Sequence, residues 1–205
     1  MSKVVFNISA QQFLKLYKKD AKNFKYTKII NDEETGVIKY YLQVKKNDEY
    51  YNFVLTAKNE KINRKISNNK FAFLKITEKK EYKSKEDSDL FKVLNIINNI
   101  SKEVSKAKNC EYKSIVDEYE GKKTAQIKLN YFNEMQDFIL KYNNVVIESK
   151  LLELNKYIKF GSKIDFIKIG GFKLSQKNDI IYNNLSVKSI ELTKENKIID
   201  WEDDE

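Results

Sequence analysis

The apolar residues of this chain change period along its length, and each change predicts an element. Ile8 and Phe13 flank Ser9-Ala10-Gln11-Gln12. That tetrad fits a capping box with Ser9 as N-cap and Gln12 at N3, and Ile8 and Phe13 occupy the hydrophobic-staple positions. Phe13, Leu16 and Tyr17 continue an apolar face, so a short helix is predicted over about residues 10–19. From Phe24 the period becomes two: Phe24, Tyr26, Lys28 and Ile30 alternate with Lys25, Thr27 and Ile29 up to the turn-like Asn31–Gly36. Val37–Val44, Tyr50–Ala57 and Phe71–Thr77 read as further strands, the first two joined by a turn at Asn47-Asp48.

Between the third and fourth strands, residues 58–70 hold five bases and one acid among turn-favouring residues, which predicts a long basic loop. The clearest helix follows, as an insertion over about 86–108. Leu90, Leu94, Ile97, Ile100 and Val104 recur at helical spacing, with acids at its start and lysines near its end, as the helix dipole favours. Strands resume at Cys110–Val116 and Lys122–Tyr131. After an ambiguous stretch (133–142) comes a short strand at Val145–Glu148, then one or two helical turns around Leu151, Leu154 and Ile158. The last β section runs Lys163–Leu174, Ile180–Tyr182 and Leu185–Leu192. Hairpins with two or three helices disfavour a parallel α/β sheet. The pattern predicts a mainly β chain with helices (α+β), a single mostly antiparallel barrel or sandwich over residues 1–199, with 200–205 as a separate tail.

Composition narrows the chemistry. Histidine and proline are absent and Cys110 is the one cysteine, which leaves no His-based nucleophile pair, no His-bearing zinc site and no intramolecular disulfide. No apolar run approaches the length of a bilayer span, and the first residues lack a secretory signal, so an intracellular, cytoplasmic protein without a membrane partner is expected. The net charge is +9, and Asp200, Trp201, Glu202, Asp203, Asp204 and Glu205 contribute −5 of it, leaving +14 on the other 199 residues. Lysine outnumbers arginine 38 to one, beside abundant Asn, Ile, Tyr and Phe. Adenine- and thymine-rich codons supply the same residues, so codon bias is one reading of the charge.

The other reading is a polyanion partner. Tyr40-Tyr41 and Tyr50-Tyr51 lie on adjacent predicted strands, where consecutive residues point to opposite faces. One of each pair can enter the core while the other stays beside Lys39 and Lys45. Phe71, Phe73 and Lys75 repeat the arrangement, as do Phe166, Lys168, Phe172 and Lys173. Rings flanked by lysines suit a sequence-tolerant single-strand binder, each base stacking for roughly 1–3 kcal/mol while ammonium groups neutralise phosphates. The same rings could instead simply fill a β core. Gly170-Gly171 within a strand marks a bulge or a close backbone approach. Asp117 with Gln126 and Lys128 loosely matches a metal-dependent nuclease core. The acidic end is either a solvated tail or a segment drawn to the protein's own basic cleft, which nucleic acid displaces and which then recruits partners.

Several stretches carry a resemblance. Residues 70–77 leading to the helix around Leu90–Ile100, residues 163–171 followed by 184–190, and Trp201-Glu202-Asp203-Asp204-Glu205 resemble the OB-fold (oligonucleotide/oligosaccharide-binding) single-stranded DNA-binding proteins of phages and large DNA viruses. The resemblance implies an antiparallel OB-type barrel elaborated by helices. It implies coating of single-stranded DNA, with RNA as an alternative, during replication, recombination or repair, without catalysis or cofactor. Replication proteins would engage the acidic tail, and a homo-oligomer is possible. The residues expected to meet nucleic acid are Lys39, Lys58, Lys61, Arg64, Lys65, Lys75, Lys168 and Lys173 at phosphates, and Tyr40, Tyr51, Phe71 and Phe172 as stacking rings. A structural or protein-interaction component and a metal-dependent nuclease are the alternatives.

Overall fold

A computed structural model of the chain describes residues 5–58, 60–67, 72–77, 88–159 and 162–193, with backbone alone at residues 28, 61, 63–67, 132, 151 and 152. Strand β1 (Val5–Ser9) runs into helix α1 (Ala10–Lys19). Strands β2 (Phe24–Asp32), β3 (Val37–Lys46), β4 (Glu49–Ala57), β5 (Glu60–Ser67) and β6 (Ala72–Thr77) precede helix α2 (Asp89–Ala107). Short strands come next: β7 (Glu111–Lys113), β8 (Val116–Tyr119), β9 (Lys122–Leu129), β10 (Tyr131–Phe132), β11 (Met135–Gln136), β12 (Ile139–Tyr142) and β13 (Val145–Ile147). A 3₁₀ turn at Leu151–Lys156 leads to β14 (Lys163–Gly170), β15 (Lys173–Lys177), β16 (Ile180–Asn183) and β17 (Ser186–Thr193).

The local chemistry behind these elements is mostly that read above. At the start of α1 the Gln12 amide N–H donates to Ser9 Oγ at 3.1 Å, and the Ser9 N–H donates back to Gln12 Oε1 at 2.9 Å. Both staple residues, Ile8 and Phe13, are buried. Ser88 caps α2, whose buried stripe is Leu90, Phe91, Val93, Leu94 and Ile97. With no proline and five glycines in the chain, asparagine makes most of the tight turns. Asn47-Asp48, Asn133-Glu134 and Asn143-Asn144 each place two successive residues at positive φ, the requirement of the hairpin turn whose twist matches its strands.

Most strands join one large mixed sheet in the order β13-β12-β17-β9-β6-β5-β14-β4-β3-β15-β16-β7; β17 also pairs β14, and β1, β2 and β8 lie beside β4, β3 and β9. One expectation is corrected here. The basic stretch after β4 is not a loop: Glu60–Ser67 form β5, paired along β6 and, at its start, with β14. Only Ile62 and Ile66 mark it as apolar, and a register shift between Ile62 and Arg64 breaks the alternation that would have betrayed it. Most pairings are antiparallel, as expected, while β1–β4, β12–β17, β16–β7 and β17–β9 are parallel. Periodicity reveals a strand but not the direction of its neighbour.

The inner face of the sheet packs on α1 and α2 in one core running from Ile8 to Leu192. Its centre is aromatic. Phe13 stacks on Phe24 with ring centroids 3.8 Å apart, and Phe53 stacks on Phe172 at 4.6 Å. Each phenyl so buried contributes about 1.5–3 kcal/mol. Among the described residues no helix is long and apolar enough to cross a membrane.

Candidate nucleic-acid interface

Strand alternation decides which side chains leave the core. On β3 the inward set is Tyr40, Leu42 and Val44, so Lys39, Tyr41, Gln43 and Lys45 project from the other face. On β4 the inward set is Phe53, Leu55 and Ala57, and Asn52, Val54 and Thr56 share the outer face with β3, as the 2.9 Å bond from Gln43 Nε2 to Asn52 Oδ1 requires. β15 aligns Lys173 with Tyr41 and Ser175 with Lys39. β6 and β9 align Phe73 with Lys128 and Lys75 with Gln126, all outside the core.

Pairing draws these outer positions together. The Lys173 ammonium lies over the Tyr41 ring, 5.9 Å from its centroid, within cation–π range. Burial holds the Lys173 pKa below the ordinary lysine value, and the charges of Lys39, Lys188 and Lys128 press it down further. Lys188 reaches this cluster across Gly170, where a Cβ would stand 2.9 Å from Lys188 Cε and 3.2 Å from its Cγ. The absence of a side chain at Gly170 therefore gives the lysine stem its bed. Gly171, at φ +74°, follows β14 and faces the Asn184 carbonyl where a Cβ would be only 2.7 Å away, so the chain can bend there into β15.

Next to the lysines lies a groove of about 640 Å³. Phe73 and Tyr182 present half-buried rings to it, Lys113 and Lys128 its cations, and Gln126, Asn183 and Asn184 its amides. A hydrogen-bonded chain fixes one wall. Asn183 Nδ2 donates to Tyr112 Oη at 2.6 Å, Tyr112 donates to Asn98 Oδ1 on α2 at 2.6 Å, and the Ile115 N–H donates to the same oxygen at 3.1 Å. Burial pushes the Tyr112 phenol up to about 12, so it stays a neutral donor. Asn184 donates to Ser175 Oγ at 2.6 Å, joining the wall to the strand that carries Lys173.

The structure sorts the residues predicted from sequence. Lys39, Lys75, Lys168 and Lys173 occupy outer positions and are half-buried, and Lys58 is exposed at the end of β4. Lys39 also pairs with Asp32 at 3.4 Å. Tyr40 and Phe172 are corrections. Tyr40 is buried and donates to Gln176 Oε1 at 2.7 Å, while Phe172 is sealed against Phe53, so neither ring is open to a base. Tyr51 is half-buried in phase with Phe53, packs edge-on to Phe6 at 5.0 Å and donates to the Glu49 carboxylate, away from the lysine cluster. Phe71 and the tail from Asp200 to Glu205 lie outside the described residues, as do the side chains of Lys61, Arg64 and Lys65.

Tyr41, Lys188, Tyr182 and Lys113 were missed. The signal for Tyr41 was present, because Leu42 and Val44 set the inward phase and Tyr40 shares it. Asp117, Gln126 and Lys128 do come together, in the groove, with Asp117 as the one carboxylate of its lining. Among the described residues no three acidic or cysteine side chains gather as a metal site would need.

No protein-family model matches the chain, and no curated protein matches it in sequence. Among solved structures it is similar to the single-stranded DNA-binding protein from bacteriophage Enc34, in a C-terminally truncated form. The two share 9% identity at a TM-score of 0.46, over 86% of this chain and 98% of that one.

Proposed function

We propose that this chain is a non-catalytic protein that binds single-stranded DNA without regard to sequence, through the outer face centred on Lys173. The observation that carries the reading is the convergence of Lys39, Lys128, Lys173 and Lys188 beside the Tyr41 ring. Holding like charges together costs free energy that a polyanion recovers. Phosphates would run along the lysines while bases stack on Tyr41, Phe73 and Tyr182, rings that any base can use. In this reading the circuit of pairings β5–β6–β9–β17–β14–β5 is the OB-type barrel, carried by a single domain. Coating of exposed strands in replication, recombination or repair is the matching role.

A titration of labelled oligo-dT followed by anisotropy tests this. If the four lysines each neutralise one phosphate, log K should fall against log salt with a slope of about −2.8, at −0.7 per phosphate. Lys173→Ala with Lys188→Ala should flatten that slope by about 1.4. Affinity indifferent to salt would overturn the proposal. Residues 200–205 act in this reading as an internal polyanion competing for the same face, and their exposure on DNA binding would recruit replication proteins. Their deletion should tighten oligo-dT binding; unchanged or weaker affinity would defeat that part.

A protein-interaction role has one observation in its favour: Ile139, Val145 and Val146 stand exposed on the hairpin β12–β13 at the end of the sheet. If that is the main function, charging these residues should abolish partner capture while oligo-dT binding is absent from the start.

A further inference from the structure

Strand β2 is an edge. It pairs with β3 along one side, and among the described residues no strand and no other backbone hydrogen bond occupies the second side. A register shift sits between Tyr26 and Lys28, and from Lys28 to Asp32 the strand runs regularly against β3. Ile29 aligns with the inward Tyr40, and Ile30 with the outward Lys39. The two isoleucines therefore lie on opposite faces of the sheet, yet both are exposed, Ile29 at 62% and Ile30 at 36%. A missing layer would bare one face only. Exposure on both faces marks a missing neighbouring strand, for which an open apolar edge is a ready template.

The charge along this segment says which strand fits. Lys25 and Lys28 precede the isoleucines, and Asp32, Glu33 and Glu34 follow them. A parallel neighbour of the same sequence would set lysine on lysine and acid on acid, and like charges directly opposite are destabilising. An antiparallel neighbour of the same sequence sets the basic half against the acidic half. With Ile30 opposite its own counterpart, Ile29 meets Asn31 and Lys28 meets Asp32, each pair occurring twice by symmetry. In this register the paired positions are an even number of residues apart, so inward positions meet inward ones and outward positions meet outward ones.

We propose that two copies of this chain associate by antiparallel pairing of β2 with β2, about a two-fold axis at Ile30. Such a contact is closed, because the same patch serves on both partners. The pairing itself is independent of the nucleic-acid reading; one consequence rests on that reading. The axis stands normal to the sheet, so the outer faces of both copies look the same way. The two β3 strands, each bearing Lys39 and Tyr41 outward, then lie three strand spacings apart, roughly 14 Å. One strand of DNA meets both lysine faces.

Sedimentation velocity of the full chain without DNA tests this, and should show a reversible monomer–dimer equilibrium. Ile30→Lys should abolish the dimer with circular dichroism unchanged. Lys28→Glu and Asp32→Lys should each weaken it by about tenfold, because two attractive pairs become repulsive. Mixed in equal amounts, those two variants should associate again at close to the original affinity, since each supplies the charge the other has lost. Both changes in one chain should restore the dimer likewise. A chain that stays monomeric at every concentration would overturn the proposal, and so would a dimer indifferent to Ile30→Lys. Folded single variants that remain apart on mixing would overturn it too, by removing the antiparallel register. The equilibrium is read without DNA, so a loss of oligo-dT binding bears on the nucleic-acid reading alone.

Discussion

The chain uses aromatic rings in two settings, and they differ in what surrounds them rather than in residue type. Phe13, Phe24, Phe53 and Phe172 form a closed stack between helices and sheet. Tyr41, Phe73 and Tyr182 lie half-buried on the opposite side of the strands, with Lys173 over Tyr41 and Lys128 in register with Phe73. A single step along a strand separates the two settings, as Tyr40 and Tyr41 demonstrate. Packing holds the first group in place, whereas ring faces beside cations make the second group available. The lesson is that an aromatic-lysine composition does not define a binding surface until strand phase has assigned each ring to a side.

Substitutions should separate the two sets cleanly. The largest effect belongs to the closed stack: Phe53→Ala should cost about 3–5 kcal/mol of stability through lost burial and a cavity, measured by urea unfolding. On the open face, Tyr41→Ala should weaken oligo-dT binding by about 1–3 kcal/mol while the unfolding midpoint hardly moves. Equal losses of stability in both variants would erase the distinction.

The smallest effect is a pH dependence that sharpens it. Lys173 has a folded pKa below its ordinary 10.5, so between the two values the unfolded chain holds the extra proton and stability rises with pH across that window. Phosphate contact favours the protonated amine, so oligo-dT affinity should decline as pH climbs through the lowered value. Lys173→Met should flatten that decline in an anisotropy titration across the alkaline range. An unaltered profile would remove Lys173 from the interface.

Much of the fold was legible because it is written in short-range chemistry. The capping box at Ser9 and Gln12, the stripe of α2 and the Asn47-Asp48 turn each involve residues within a few positions of one another, and each forms as read. β5 was not legible, because its polar run becomes a strand only when β6 and β14 supply its hydrogen bonds. The inward choice of Tyr40 could have been taken from Leu42 and Val44. The meeting of Lys39, Lys128, Lys173 and Lys188 could not. They belong to four different strands, β3, β9, β15 and β17, and only pairing geometry brings their charges close enough to help depress a pKa.

The order of residues thus determined the local elements, the phase of each strand and the surplus of positive charge over the body of the chain. Tertiary structure alone decided which strands became neighbours, and through that which lysines share a surface and which grooves open beside them. The physical reason is range. Caps, turns and alternation act over a few residues along the chain, whereas burial and charge repulsion depend on distance in space, which is set only when the sheet is assembled.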